Sequence, residues 1–250
     1  MRRFVVDPST VTGELATLSA GEAHHVSLVL RLQPGAVIEL VDGQGLVYQG
    51  CLETVGRERV TVRLLSQQQE PEDAGRPLIL LQALLKGKKM DMVVQKATEL
   101  GVHTLQPLVT RYSEGRGNQA RQAERWQRIM VEACKQCHRA QSMGVAPLID
   151  LAGVPLPESG PRILFWEGET TEPLLPEFLS PPGPVCLLLG PEGGLHRQEA
   201  EEAKARGFKP VSLGRRILRA ETATLAAVAI VQYLTGGLQP MTQAQPEPGP

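Results

Sequence analysis

Aromatic residues are scarce in this chain, with four Phe, three Tyr and two Trp among 250 residues. Its cores must therefore be built mainly from aliphatic side chains. Four cysteines are too few, at this length, for a disulfide framework. No apolar run reaches the roughly 18–20 residues that a membrane-spanning helix needs. The opening MRRFVVDPST is basic but lacks the apolar stretch of a secretory signal. These absences predict a globular protein of the cytoplasm. Net charge is also small, at −1, which on its own suggests no polyanionic partner. The average conceals a gradient. Residues 1–75 hold six Lys/Arg and ten Asp/Glu, residues 76–145 hold twelve and five, and residues 146–250 hold eight and twelve. The middle segment is a local basic field, and local fields steer anions more than the total does.

Hydrophobic patterning divides the chain. VVDPSTV, AVIELVDG, GLVYQGCLETV and RERVTVRLL read as strands, with turns at Pro34-Gly35 and Asp42-Gly43, and predict a small β-barrel over residues 1–70. SQQQEPEDAGRP (Ser66–Pro77) has no apolar periodicity and reads as a linker, with the domain boundary placed at 71–77. PLILLQALL then suits a buried parallel strand, Lys88–Leu100 a helix ended by Gly101, and HTLQPLVT another strand. Strands alternating with helices predict an α/β domain over 78–238. The closing QPMTQAQPEPGP, rich in Pro and Gln, predicts a disordered tail over 239–250. There is no internal repeat.

Asn118–Ala140 reads as an amphipathic helix capped by Asn118. Ala123, Trp126, Met130, Ala133 and Cys137 make an apolar stripe. Arg121, Arg125, Arg128, Lys135 and Arg139 make an opposing basic stripe, interrupted by Glu132, since two residues of offset turn about 200° around a helix. Charge stripes are commonly just solvated faces. Here Lys86, Lys88, Lys89, Arg111 and Arg116 lie close by with few acids among them, which favours a nucleic-acid surface making phosphate contacts. Cys134-Lys135-Gln136-Cys137 has no second Cys/His pair at finger-like spacing, so no metal site is expected. His24-His25 has no catalytic partner legible in sequence, and a structural or RNA-contacting role suits it better.

Two turns carry the chemistry. LLLGPEGGLHRQEA (Leu187–Ala200) runs from an apolar strand through Gly190–Gly194 into a polar helix. It lacks the Lys-Ser/Thr of a phosphate-binding P-loop and is not GxGxxG. By itself it is a tight corner or a place where backbone approaches a ligand closely. Ser212–Ala223, SLGRRILRAETA, follows a short strand (Lys209–Leu213) and leads into TLAAVAIVQYL, a helix with almost no polar face. Its Arg residues could hold phosphate or carboxylate in a fork. Glycine-containing loops at the ends of neighbouring strands are where open α/β sheets bind ligands.

These two loops closely resemble the bacterial 16S ribosomal RNA uridine N3-methyltransferases of the SPOUT superfamily, and the resemblance covers nearly the whole chain. MRRFVV, His25-Val-Ser-Leu-Val-Leu-Arg31, Lys86 to Lys89, Gln95-Lys-Ala-Thr-Glu-Leu-Gly101 and Ala133-Cys-Lys-Gln-Cys137 followed by Arg139 also fit that family, less specifically. Two positions depart from it: Ala220, where many relatives have Thr, and Leu195, where Phe usually stands. The resemblance implies a PUA-like barrel joined to an α/β domain with a deep trefoil knot, S-adenosylmethionine as cofactor, and a homodimer in which the apolar C-terminal helix packs at the interface. It implies 16S rRNA in the small ribosomal subunit as substrate, with no metal and no membrane. It places Leu189, Gly190, Gly193, Gly194, Leu213, Gly214, Ile217, Leu218 and Thr222 around the cofactor, with Phe165-Trp166-Glu167, ending the strand Arg162–Trp166, as a further wall. Arg219 would orient the uridine or stabilise negative charge as N3 loses its proton. Glu192 or Glu221 would be the base, or else a helix N-terminal charge that fixes a loop. His25, Arg31 and the basic residues named above would hold RNA. Competing readings are methyl transfer to a ribose 2′-hydroxyl, as in other knotted families, and a non-catalytic RNA-binding assembly factor.

Overall fold

The computed structural model describes residues 1–70, 75–114, 117–169 and 171–239. Residues 71–74 of the expected linker, Arg116, and the expected tail from residue 240 onward lie outside the described residues. In chain order the elements are β1 (Arg3–Val5), β2 (Val11–Thr12), β3 (Leu15–Thr17), α1 (Ala20–His24), β4 (Val37–Val41), β5 (Leu46–Val55), β6 (Val60–Gln69), β7 (Leu78–Ala83), α2 (Lys88–Glu99), β8 (Thr104–Val109), α3 (Gln119–Cys137), β9 (Gly144–Val145), β10 (Ile149–Asp150), β11 (Arg162–Phe165), β12 (Val185–Leu189), α4 (Arg197–Ala205), β13 (Lys209–Val211) and α5 (Ala220–Leu234). Contacts group Met1–Glu72, Val94–Glu99 and Asn118–Val145 into one compact unit, and Asp73–Val93, Leu100–Gly117 and Ala146–Pro250 into a second.

The first unit holds a six-stranded sheet in the order β1-β4-β5-β6-β3-β2, with β1 parallel to β4 and the other pairs antiparallel. Phe4, Ile38, Leu40, Leu52, Val60 and Val62 lie in its mainly aliphatic core. VVDPSTV is not one strand. Asp7 accepts hydrogen bonds from the Ser9 amide at 2.9 Å and hydroxyl at 2.7 Å, and Pro8 starts a 3-10 turn over Pro8–Thr10. A short polar side chain bonding its own backbone outcompetes the strand ladder there. Strand β6 runs to Gln69, so Ser66–Gln69, expected in the linker, are sheet. Helix α3 belongs to this unit, although its place in the sequence falls within the expected span of the α/β domain. Asn118 caps it by accepting the Arg121 amide at 3.1 Å. His138, in the left-handed conformation, ends it.

The second unit holds six parallel strands in the order β10-β8-β7-β12-β11-β13. Every residue of β12 (VCLLL) is buried, as both faces of a parallel sheet must be covered. Arg76 donates to the carbonyls of Leu179, Pro181 and Gly183. Helix α5 buries Ala227, Val228 and Val231, and its Gln232 donates to the Leu100 carbonyl at 2.8 Å.

Candidate cofactor site and basic surface

Strands β12, β11 and β13 are adjacent and parallel, so their C-terminal ends release three loops side by side. Those loops, with Ala220 and Ala223 of α5, enclose a cavity of about 560 Å³. That is the size of a small-molecule site and lies beyond the strand ends, where open α/β sheets bind ligands. Gly194 is required by geometry. Its φ is +71°, and a Cβ there would sit 1.7 Å from Glu167 Oε1. The turn closes with the Gly194 amide donating to the Pro191 carbonyl at 3.0 Å. Helix α4 then begins with a capping box between His196 and Glu199. One buried amide joins the parts: Gln82 Nε2 donates to the Gly190 carbonyl at 3.3 Å, and Gln82 Oε1 accepts the Thr224 hydroxyl of α5 at 2.6 Å.

Of the residues expected around a cofactor, Phe165, Trp166, Glu167, Leu189, Gly190, Gly193, Gly194, Leu213, Gly214, Ile217 and Leu218 all line this cavity. Thr222 does not; it is exposed on α5. At about 100° per residue, Ala220 and Ala223 share the cavity face and Thr222 points away. Sequence reasoning missed Glu169, Pro191, Val211 and Ser212, which also line it, while Arg215 and Arg216, read from the motif as ligands for phosphate or carboxylate, line it too. Reading each loop whole, rather than by its motif, would have found them. The two departures now have places. Leu195 is buried, packed where a Cβ on Gly190 would lie 3.2 Å from its Cγ. Ala220 presents a methyl to the cavity wall.

The two carboxylates expected as bases differ. Glu192 Oε1 accepts from the Lys89 ammonium at 2.9 Å and the Lys86 amide at 3.1 Å. Burial pushes its carboxyl up, but the hydrogen bonds from Lys89 and from the amides of Glu192 and Lys86, and the Lys89 charge, outweigh it and hold it below the ordinary value. A carboxylate held ionised this way is a poor proton acceptor and a good loop tie. Glu221 is buried; its Oε2 has no hydrogen-bond partner among the described residues and lies 3.8 Å from Lys89 Nζ. Arg219 is exposed at the N-cap position of α5 and is not part of the cavity lining.

The sequence profile of the RNA methyltransferase domain matches residues 72–232, and that of the RNA methyltransferase PUA domain matches residues 18–65. A Synechocystis protein named ribosomal RNA small subunit methyltransferase E is 35% identical over 237 residues, covering 93% of this chain and 77% of the relative. The chain belongs to the ribosomal RNA small subunit methyltransferase E family. A crystal structure of the family's member from Neisseria gonorrhoeae, bound to S-adenosyl methionine, superposes with a TM-score of 0.86 at 32% identity, covering 94% of this chain and 98% of that one. A putative methyltransferase from Legionella pneumophila in complex with the cofactor SAM gives 0.85 at 30%, covering 92% and 96%. The fold is thus the family's α/β methyltransferase fold with a PUA-like N-terminal domain.

The basic surface differs from the one the helix pattern predicts. Arg121, Arg125 and Arg128 are exposed along α3, opposite the buried Trp126, Met130 and Ala133. Ala123, expected in the apolar stripe, is exposed. Lys135 is not on the surface. Its side chain is 8% exposed and bridges Glu22 of α1 at 2.9 Å and Glu132 at 2.6 Å. Burial alone would lower its pKa; the hydrogen bonds and charges of Glu132 and Glu22 raise it instead. Arg139 leaves the stripe because α3 ends at Cys137, and its guanidinium is buried, donating to the Thr98 carbonyl at 3.3 Å. His25 is half-buried in a π-helical turn (His25–Val29), its ring edge-on to Phe4 at 5.9 Å. Arg31 is exposed. Burial pushes the Cys134 and Cys137 thiols up, away from the thiolate form. Among the described residues no cluster of His, Cys, Asp and Glu is fit to hold a metal ion, and no helix is long and apolar enough to cross a membrane.

Lys86, Lys88, Lys89 and Arg111 lie in the second unit, and Lys86, Lys88 and Arg111 are exposed. Lys86, Lys89 and Arg111 line a second cavity, of about 620 Å³, with Tyr112, Ser113 and Glu114. It shares Glu192 and Gly193 with the first.

Proposed function

We propose that this chain transfers a methyl group from S-adenosylmethionine to N3 of a uridine in small-subunit ribosomal RNA. The single observation that carries the reading is the cavity built by three adjacent strand-end loops, Phe165–Glu169, Leu189–Gly194 and Val211–Leu218. The residues fit the cofactor. Its apolar walls (Leu189, Leu213, Leu218) suit a purine, and Gly194 leaves room for the Glu167 carboxylate, which a Cβ there would strike. Glu167 and Glu169 offset a cation, and Arg215 and Arg216 suit a carboxylate. When bound, the cofactor supplies an electrophilic methyl on a sulfonium.

The chain's own residues then have two tasks. The first is alignment of the N3 lone pair behind the methyl, which contributes more to the rate because the donor is already activated. The second is removal of the N3 proton, where a base adds roughly 10²–10⁴-fold. Glu192 is committed to Lys89 and the Lys86 amide, so Glu221 is the better base of the two. Arg219, at the start of α5, would stabilise the anion formed at N3. N3–H lies on the Watson–Crick edge, so the base must leave its stack, at a cost of roughly a few kcal/mol. The exposed Arg121, Arg125 and Arg128 would hold flanking phosphates. The trefoil knot and the homodimer are part of the proposal. Exposed Ile230, Tyr233 and Leu234 along α5 support a partner face there. Work on ribosomal subunits puts the chain in the cytoplasm.

Primer extension tests the reading. Small subunits treated with the protein and S-adenosylmethionine should acquire one strong reverse-transcriptase stop, because an N3 methyl blocks base pairing. A modification that leaves pairing intact and protects the ribose from alkaline cleavage would instead establish the 2′-hydroxyl reaction.

A further inference from the structure

The second cavity shares Glu192 and Gly193 with the first. Tyr112 stands at the junction. The residue is 46% exposed, and a Cβ on Gly193 would lie 3.1 Å from Tyr112 Cβ, so the tyrosine rides directly on the glycine turn. The segment presenting it is firmly held. The Thr110 amide and hydroxyl meet Ser113 Oγ at 3.0 and 2.8 Å, the Ser113 amide donates to the Thr110 carbonyl at 3.1 Å, and the Arg111 amide donates to Glu199 Oε1 at 2.7 Å. The His196 ring meets Tyr112 edge-on at 6.0 Å, and His196 Nε2 lies 3.2 Å from Arg111 Nη1. Tyr112 is thus an aromatic side chain held at its base and left facing solvent. Around it stand the cations Lys86, Lys89 and Arg111 against the carboxylates Glu114 and Glu192.

We infer that this second cavity is the seat of the target nucleotide, with Tyr112 as the face on which the extruded pyrimidine stacks and Arg111 as the ligand of its phosphate. The assignment rests on the RNA methyl-transfer reading and names the substrate subsite. Unpaired bases are commonly held by stacking on aromatic side chains beside cationic groups. At about 620 Å³ the cavity has room for a nucleotide, and the lining it shares with the cofactor cavity, Glu192 and Gly193, is where the base edge would meet the methyl donor. Gly193 then has a second reason to be glycine: a Cβ there would press on Tyr112, 3.1 Å away, and displace the stacking face.

Two measurements test this. In methyl transfer to small subunits at saturating cofactor, Tyr112→Ala should lower kcat/KM for RNA roughly ten- to a hundredfold. Tyr112→Phe, which keeps the ring face, should recover most of that. Cofactor Kd should stay within about twofold in both. Unchanged kcat/KM in Tyr112→Ala overturns the subsite, and so does an equal loss in cofactor binding, which would make Tyr112 only a support for the glycine turn. The second measurement needs no methyl transfer. Small-subunit RNA carrying 4-thiouridine at random, irradiated with the protein, should crosslink to residues 111–113; crosslinks confined to other surfaces overturn the inference. If the wild-type protein yields those crosslinks but no methylated nucleoside, the function reading fails while the subsite stands.

Discussion

Replacing Gly194 by Ala probes the cofactor cavity at its tightest point. Two costs separate. The first is conformational: a φ of +71° costs an L-residue about 1–2 kcal/mol. For a unit of this size that lowers Tm by roughly 2–8 °C. The second is steric, since the new Cβ would lie 1.7 Å from Glu167 Oε1 and 2.6 Å from its Cδ. Glu167 is exposed and its carboxylate can rotate, so this cost falls on the cavity rather than on folding. Both residues line the wall, and the displaced carboxylate or a shifted turn intrudes on the bound ligand. A tenfold weaker S-adenosylmethionine Kd corresponds to about 1.4 kcal/mol, a modest demand on such an intrusion. Calorimetric titration and thermal melts of Gly194→Ala, Glu167→Ala and the double variant distinguish the conformational cost from the steric one. Gly194→Ala should bind at least tenfold more weakly and melt lower. The double variant should regain affinity over Gly194→Ala but keep its lowered Tm. Wild-type affinity and wild-type Tm in Gly194→Ala would refute the reasoning.

Other consequences follow from the same structure. Glu192 has a lowered pKa, so its tie to Lys89 contributes stability fully above 4.5 and loses it only as pH falls through the depressed value; cofactor affinity in Glu192→Gln, measured from pH 8 to 5, should be weaker than wild type throughout. Lys135→Ala should cost about 3 kcal/mol in denaturant unfolding, because it strands the buried Glu22 carboxylate; Arg128→Ala, on the exposed part of the same helix, should cost within about 0.5 kcal/mol. Arg128→Ala should instead reduce the salt dependence of RNA binding, by a slope of about one in log K against log salt if it meets one phosphate. Cys186 is pushed up to about 11 by burial, so in folded protein it should stay unreactive to thiol reagents at pH 8 and react on unfolding.

The second unit is legible in the sequence because its signals are local. VCLLL suits a strand buried on both faces, and TLAAVAIVQYL an apolar helix, although Ile230, Tyr233 and Leu234 of that helix stand exposed. The glycines of GPEGG and Gly214 mark strand-end loops, and eleven of the twelve residues expected at the cofactor fall on one cavity. The exception, Thr222, follows from motif where helix phase decides. Lys135 and Arg139 depart for a different reason. They share a stripe with Arg121, but a stripe does not say which neighbour covers its far end; α1 and the Thr98 carbonyl do. Tyr112 gives no signal at all, because Thr110–Glu114 has no periodicity and its partners Gly193, His196 and Glu199 lie about eighty residues on. The proposed knot rests on the family resemblance alone, since the general rule is that chains do not thread loops.

The most direct test of the central claim is to identify the product. The purified protein, labelled S-adenosylmethionine and small ribosomal subunits from a strain lacking the endogenous activity are incubated together, and the RNA is digested to nucleosides for mass spectrometry. The account predicts label in 3-methyluridine and in no other nucleoside. Label in a 2′-O-methyl nucleoside, or measurable cofactor binding with no label in RNA at all, would contradict it.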